Sequence, residues 1–200
     1  MTHIHHKSWN DFVYSFKKNI SSVPYNDLKS ILKSRAETTK FYKNDLFKKI
    51  AIDLDLEILD KEYLRIDITL SKRGQRGKFL VPHIVIESEN DAKGDLPNEI
   101  HKLLSLNAPV KILLTRFDSL EAQLVSDFEN HEDTHWYYPL KDFIEFDRLD
   151  GIFAVISLEI NASGEYQIAY VSYDCNGKLE DIQSFHLGQK NDIFSEGLQT

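Results

Sequence analysis

Apolar positions recur with helical spacing in some stretches of this chain and alternate in others. Near the amino terminus Trp9, Phe12, Val13 and Phe16 share one helix face. Leu28, Ile31, Leu32, Phe41, Leu46, Phe47 and Ile50 predict one or two further helices between Tyr25 and Ile52, and Leu54 to Leu59 supplies a first strand. From Leu64 the pattern alternates, with Leu64, Ile66, Ile68 and Leu70 on one face and Arg65, Asp67 and Thr69 on the other. In the next strand Leu80, Ile84 and Ile86 form one set, and His83, Val85, Glu87 and Glu89 the other.

A loop with Gly94 and Pro97 leads into Ile100, Leu103 and Leu104 at helical spacing, with a stop before Pro109. The apolar run from Val110 to Leu114 reads as a buried strand, so strand, helix and strand predict a crossover to a parallel neighbour. Farther on, Phe117 to Phe128 is a candidate helix, and Asn130 to Pro139 a polar loop running into aromatics. Gly151 to Ile160 and Tyr166 to Tyr173 predict a hairpin that extends the sheet or packs on its edge. Its Tyr166, Tyr170 and Tyr173 read as packing residues. Residues 189–200 lack a period and read as a loose tail behind a single domain spanning 1–188.

Acidic side chains interrupt the second and third strands where a core tolerates them least. If those strands form a hairpin through Ser71-Lys72-Arg73-Gly74-Gln75-Arg76-Gly77-Lys78, Asp67 and Glu87 lie equally far from Gly77 and come to similar height. Glu87 and Glu89 project together beside them. Clustered carboxylates repel and lose hydration, which a hard divalent cation or another positive group offsets. The alternative is a wet outer face, common in antiparallel hairpins. His131, Glu132, Asp133 and His135 are metal-capable in type, but their spacing reads as a surface loop; His3, His5 and His6 read as a frayed terminus.

The order helix, strand, strand with Asp67, strand with Glu87-Ser88-Glu89, helix, strand resembles the PD-(D/E)XK superfamily of restriction-endonuclease-like nucleases, over about residues 25–116, with 117–188 as a carboxy-terminal extension. The resemblance implies an α/β three-layer fold, with a mixed central sheet flanked by helices and here an additional carboxy-terminal β-hairpin. It implies phosphodiester hydrolysis with Mg2+, or Mn2+, held by Asp67, Glu87 and the Ser88 carbonyl. Glu89 stands where the commonest motif has lysine, as in the Glu-x-Glu variants. Lys102 on the following helix, or His83 on the same strand face, is then the candidate to fill that role. Glu37, with Asp45 as second choice, is the candidate for the acidic residue that the first helix often adds to the metal site.

Composition adjusts this picture. Two hundred residues suffice for one domain with a sizeable core. A lone Cys175 and the lack of a signal-like or membrane-spanning apolar run fit a soluble cytoplasmic protein. The formal net charge of −8 argues against unaided, nonspecific DNA binding. The local cluster Lys72, Arg73, Arg76 and Lys78 forms a basic turn expected near the carboxylates, and Lys29, Lys33, Arg35, Lys40, Lys43, Lys48 and Lys49 enrich the helical stretch; both would track a DNA backbone. A homodimer would suit two-strand cleavage. The competing readings are a catalytically silent module that binds nucleic acid or a protein partner, and an unrelated α/β binding protein with solvated carboxylates.

Overall fold

The helical spacing at the amino terminus becomes α1 (Thr2–Ser21), which lays Trp9, Phe12, Phe16 and Ile20 along one buried stripe. Then come α2 (Tyr25–Ile31) and α3 (Arg35–Phe41). Ser34 caps α3, its hydroxyl accepting the Glu37 N–H at 3.4 Å. A π-helical turn, Tyr42–Leu46, leads into α4 (Phe47–Asp53). The stretch read as one or two helices is therefore α2, α3 and α4, and the wide turn resets which face looks inward. At the end of α4, Asp53 accepts hydrogen bonds from Ser15 at 2.9 Å, Asn19 at 2.8 Å and Lys18 at 3.0 Å, tying α4 to α1. The bond from Lys18, with those from Asn19 and Ser15, holds its carboxyl below the ordinary range against a smaller opposing effect of burial.

The computed structural model describes residues 2–59, 62–74, 80–89, 96–115, 137–145, 149–160 and 165–187. Its seven-stranded sheet runs in chain order: β1 (Glu57–Ile58), β2 (Ile68–Arg73), β3 (Leu80–Glu89), β4 (Val110–Thr115), β5 (Ile152–Ile160), β6 (Tyr166–Tyr173) and β7 (Leu179–His186). The β3–β4 and β4–β5 pairs are parallel and the others antiparallel. Between β3 and β4 the chain forms α5 (Leu96–Leu104), and before β5 it forms α6 (Tyr137–Glu145). One sheet face, with Ile68, Leu70, Ile84, Ile86, Ile112 and Ile156, packs on α1 to α4. The other, with Val85, Leu113, Phe153 and Val155, packs on Ile100 and Leu103 of α5 and Leu140 of α6. The protein is thus α/β, a mixed open sheet between helical layers.

Several expectations change in detail. The first strand shrinks to β1. Leu64 and Arg65 adopt φ of 52° and 65°, so alternation starts only at Ile68, and Ile66 packs on the face opposite to Ile68. A bulge in β3 pairs Leu70 with Ile84 and Ser71 with Pro82, leaving His83 as the extra residue. His83 therefore turns to α1, where Nε2 lies 3.1 Å from Ser8 Oγ, away from Glu87. Tyr137 to Pro139, read as loop, opens α6. The expected hairpin is present as β5 and β6 and extends the sheet, with Tyr166, Tyr170 and Tyr173 buried, and β7 adds an unforeseen strand. The candidate helix at 117–128, the loop residues 130–136 and the tail 189–200 lie outside the described residues.

Lys111 of β4 is fully buried. Its ammonium donates to the backbone carbonyls of Ala108, at 3.0 Å, and Asp150, so it laces the starts of β4 and β5 together. Burial pulls its pKa down to about 8.

Candidate metal and phosphate site

Hairpin register places the carboxylates. Ile68 pairs with Ile86, Thr69 with Val85 and Leu70 with Ile84, a ladder centred on Gly77 that, continued by one residue past its end, brings Asp67 to the height of Glu87. Asp67 Oδ2 accepts the Ser88 N–H at 3.1 Å. In a strand the N–H and C=O of one residue point to the same neighbour, so the Ser88 carbonyl faces the Asp67 side as well. Glu89 ends β3 opposite Thr115 of β4, half-buried and on the strand face of Glu87.

Glu87 is 4% exposed. Lys102 reaches it from α5, Nζ lying 2.6 Å from Oε1, and also contacts Glu99 one helical turn earlier. The same ammonium donates to the Arg65 carbonyl at 3.0 Å. Burial pushes the Glu87 carboxyl up to about 8; Lys102 opposes the shift, while the Asp67 and Glu99 charges add to it. For Lys102 burial acts downward, and the carboxylates of Glu87 and Glu99 outweigh it, so its pKa stands above the ordinary lysine value. The two shifts describe a buried acid that is hard to ionise beside a lysine that stays charged, with Glu99 as its more accessible counter-ion.

From the other helical layer, Lys43 of the π turn places Nζ 3.8 Å from Asp67 Oδ1 and 3.9 Å from Glu62. Asp67 and Glu87 thus each face a lysine. Glu37 is exposed in the first turn of α3, and Asp45 is exposed in the π turn. Among the described residues no group of three or more His, Cys, Asp or Glu side chains stands around one cation position, so neither joins Asp67 and Glu87 in such a set. His83 lies on the opposite sheet face beside α1, where burial, then Lys72 and His5, pulls its pKa down to about 4.

The basic turn lies farther off than expected. Lys72 and Arg73 occupy the far end of β2, about 17 and about 20 Å from Asp67 at the rise of a strand. There Arg73 forms a fork on Glu57 of β1, at 2.6 and 2.7 Å. Arg76 and Lys78 lie outside the described residues.

Glu99, and the pairing of Lys43 with Asp67, escaped sequence reasoning. Glu99 had a signal, standing three residues before Lys102 on the same helix face. Lys43 was legible only as one of the lysines of the helical stretch, because its direction toward Asp67 depends on a π turn that no residue pattern announces. No family model, curated protein or solved structure matches the chain.

Proposed function

We propose that this protein is a magnesium-dependent nuclease that hydrolyses phosphodiester bonds in DNA. The observation that supports this reading is the Asp67 carboxylate held on the Ser88 N–H, next to Glu87 at one end of the β2–β3 pair, with the Lys102 ammonium 2.6 Å from Glu87. The order helix, β1, β2, β3, α5, β4 supports the finer assignment of a restriction-endonuclease-like core over about 25–116.

Magnesium binds through one or two carboxylates and keeps several waters, which Asp67, Glu87 and the Ser88 carbonyl suit without a third acidic side chain. A buried Glu87 whose carboxyl resists ionisation is the group that a divalent charge would hold deprotonated. When bound, the ion acidifies its water and offsets charge gathering on the phosphate. Around it, the Ser88 N–H fixes the Asp67 carboxylate. Lys102, oriented by Glu87, Glu99 and the Arg65 carbonyl, offers a positive charge to the phosphoryl oxygens from a helix, where the usual motif offers it from the strand. Glu89, on the same face, takes the proton of the attacking water.

A second reading, a catalytically silent module that binds nucleic acid or protein, is favoured by the lysines that already face Asp67 and Glu87. Calorimetry with Mg2+ and Mn2+ separates them. Binding in the wild type that disappears in both Asp67→Asn and Glu87→Gln is the expected result. Absence of binding at millimolar metal, with and without added DNA, leaves the silent module.

A further inference from the structure

Tyr63, Leu64, Arg65 and Ile66 form a two-residue hairpin turn directly before Asp67: Tyr63 and Ile66 bridge antiparallel, and the Ile66 N–H donates to the Tyr63 carbonyl at 2.9 Å. Both central residues have positive φ, 52° at Leu64 and 65° at Arg65. Such turns strongly prefer Asn-Gly or Asp-Gly, because other L residues are strained there. Leucine and arginine in this position work against the local backbone, and the surroundings hold them in it. On one side Lys102 takes the Arg65 carbonyl; on the other Lys43 lies beside Glu62 and Asp67.

What the turn displays is unusual for solvent. Leu64 is 61% exposed and Tyr63 39% exposed, and Arg65 is exposed beside them. The strain therefore yields no core packing for Leu64. It leaves an aliphatic tip, an aromatic ring and a guanidinium exposed in the turn that runs directly into Asp67.

We infer that the turn Tyr63–Ile66 is a nucleic-acid contact of this site, with Leu64 and Tyr63 lying against bases and Arg65 on a backbone phosphate. This inference rests on the nuclease reading. Apolar side chains that press between base steps, supported by arginine, are a general means of holding a duplex in a distorted form, and aromatic rings stack on unpaired bases. A turn joined directly to Asp67 would set the phosphodiester relative to the carboxylates. Lys43 and Lys102 are already matched by Glu62 and Asp67 and by Glu87 and Glu99, so the charge that the turn itself offers a phosphate is that of Arg65.

The test is fluorescence anisotropy with a labelled DNA duplex and the corresponding single strand, in calcium in place of magnesium, over a range of salt. Leu64→Ser is expected to weaken binding about tenfold with the salt slope unchanged, and Arg65→Gln to weaken it with a slope lower by about one. The double variant Leu64→Asn, Arg65→Gly keeps the turn and relieves it. It is expected to melt roughly 4 °C higher while binding DNA at least tenfold more weakly, with magnesium affinity by calorimetry unchanged. DNA affinity equal to the wild type in all of these variants overturns the inference and leaves the nuclease reading intact. A wild type that binds magnesium but neither DNA probe overturns both.

Discussion

Glu87 carries the sharpest residue-scale consequence. Its carboxyl lies near 8 in the folded chain against an ordinary 4.5, so the metal-free folded state binds that proton more tightly than the unfolded state does. The contribution is full below about 4.5 and is lost as pH rises to about 8. Melting temperature without metal is therefore expected to fall across that window, and Glu87→Gln to flatten the Glu87 part of the fall. A wild-type profile that rises instead would contradict the burial argument. On the proposed magnesium reading the ion displaces the same proton, so its affinity should climb toward pH 8 with up to one proton released per ion. Lys102→Met makes a different prediction: cleavage should drop about 100-fold or more, the scale of a lost charge at a transition state, while magnesium affinity holds or tightens as a competing cation leaves. The alternation of strand residues made Asp67 and Glu87 legible, and helical reach made Lys102 a candidate. The approach of Lys43 to Asp67 stayed hidden because a π turn directs it, and His83 was misdirected because a bulge reverses it.

At the scale of elements, the hairpin register was readable because the β2 and β3 patterns permit one pairing that buries Leu70, Ile84 and Ile86 together. Where strands begin was not readable: positive φ at Leu64 and Arg65 is a tertiary outcome that neither residue type favours. α6 was missed because Tyr137 to Pro139 looked like the end of a polar loop. The junction of β4 and β5 gives a test of the sheet itself. Gly151 has φ of 79°, and a Cβ there would lie 2.5 Å from the Pro109 carbonyl oxygen and 2.7 Å from that of Ala108, backbone groups that Lys111 and Ile152 help to fix. Gly151→Ala is expected to cost about 2 kcal/mol or more in urea unfolding, since strain and clash act together. An unchanged midpoint would mean that this junction is looser than its geometry.

Across the whole molecule, one sheet divides two helical layers, and the candidate site uses both: Lys43 arrives from the α1 to α4 layer and Lys102 from α5. Among the described residues no helix is long and apolar enough to cross a membrane. The α/β class and the parallel crossover were visible in the alternation of strand and helix periods, whereas β7, with its mixed polar surface, left no clear pattern. With a net charge of −8, DNA affinity on the nuclease reading rests on the few cations near Asp67, so a shallow fall of affinity with salt is expected, about one unit of log–log slope per cation engaged. The most direct measurement is the rate of plasmid DNA cleavage at pH 8 in magnesium and in chelator, for the wild type and for Asp67→Asn and Glu87→Gln at matched folded fraction. Nicking or linearisation that requires magnesium and disappears in both variants is the expected result. A plasmid left intact by the wild type, or cut equally by either variant, would contradict it.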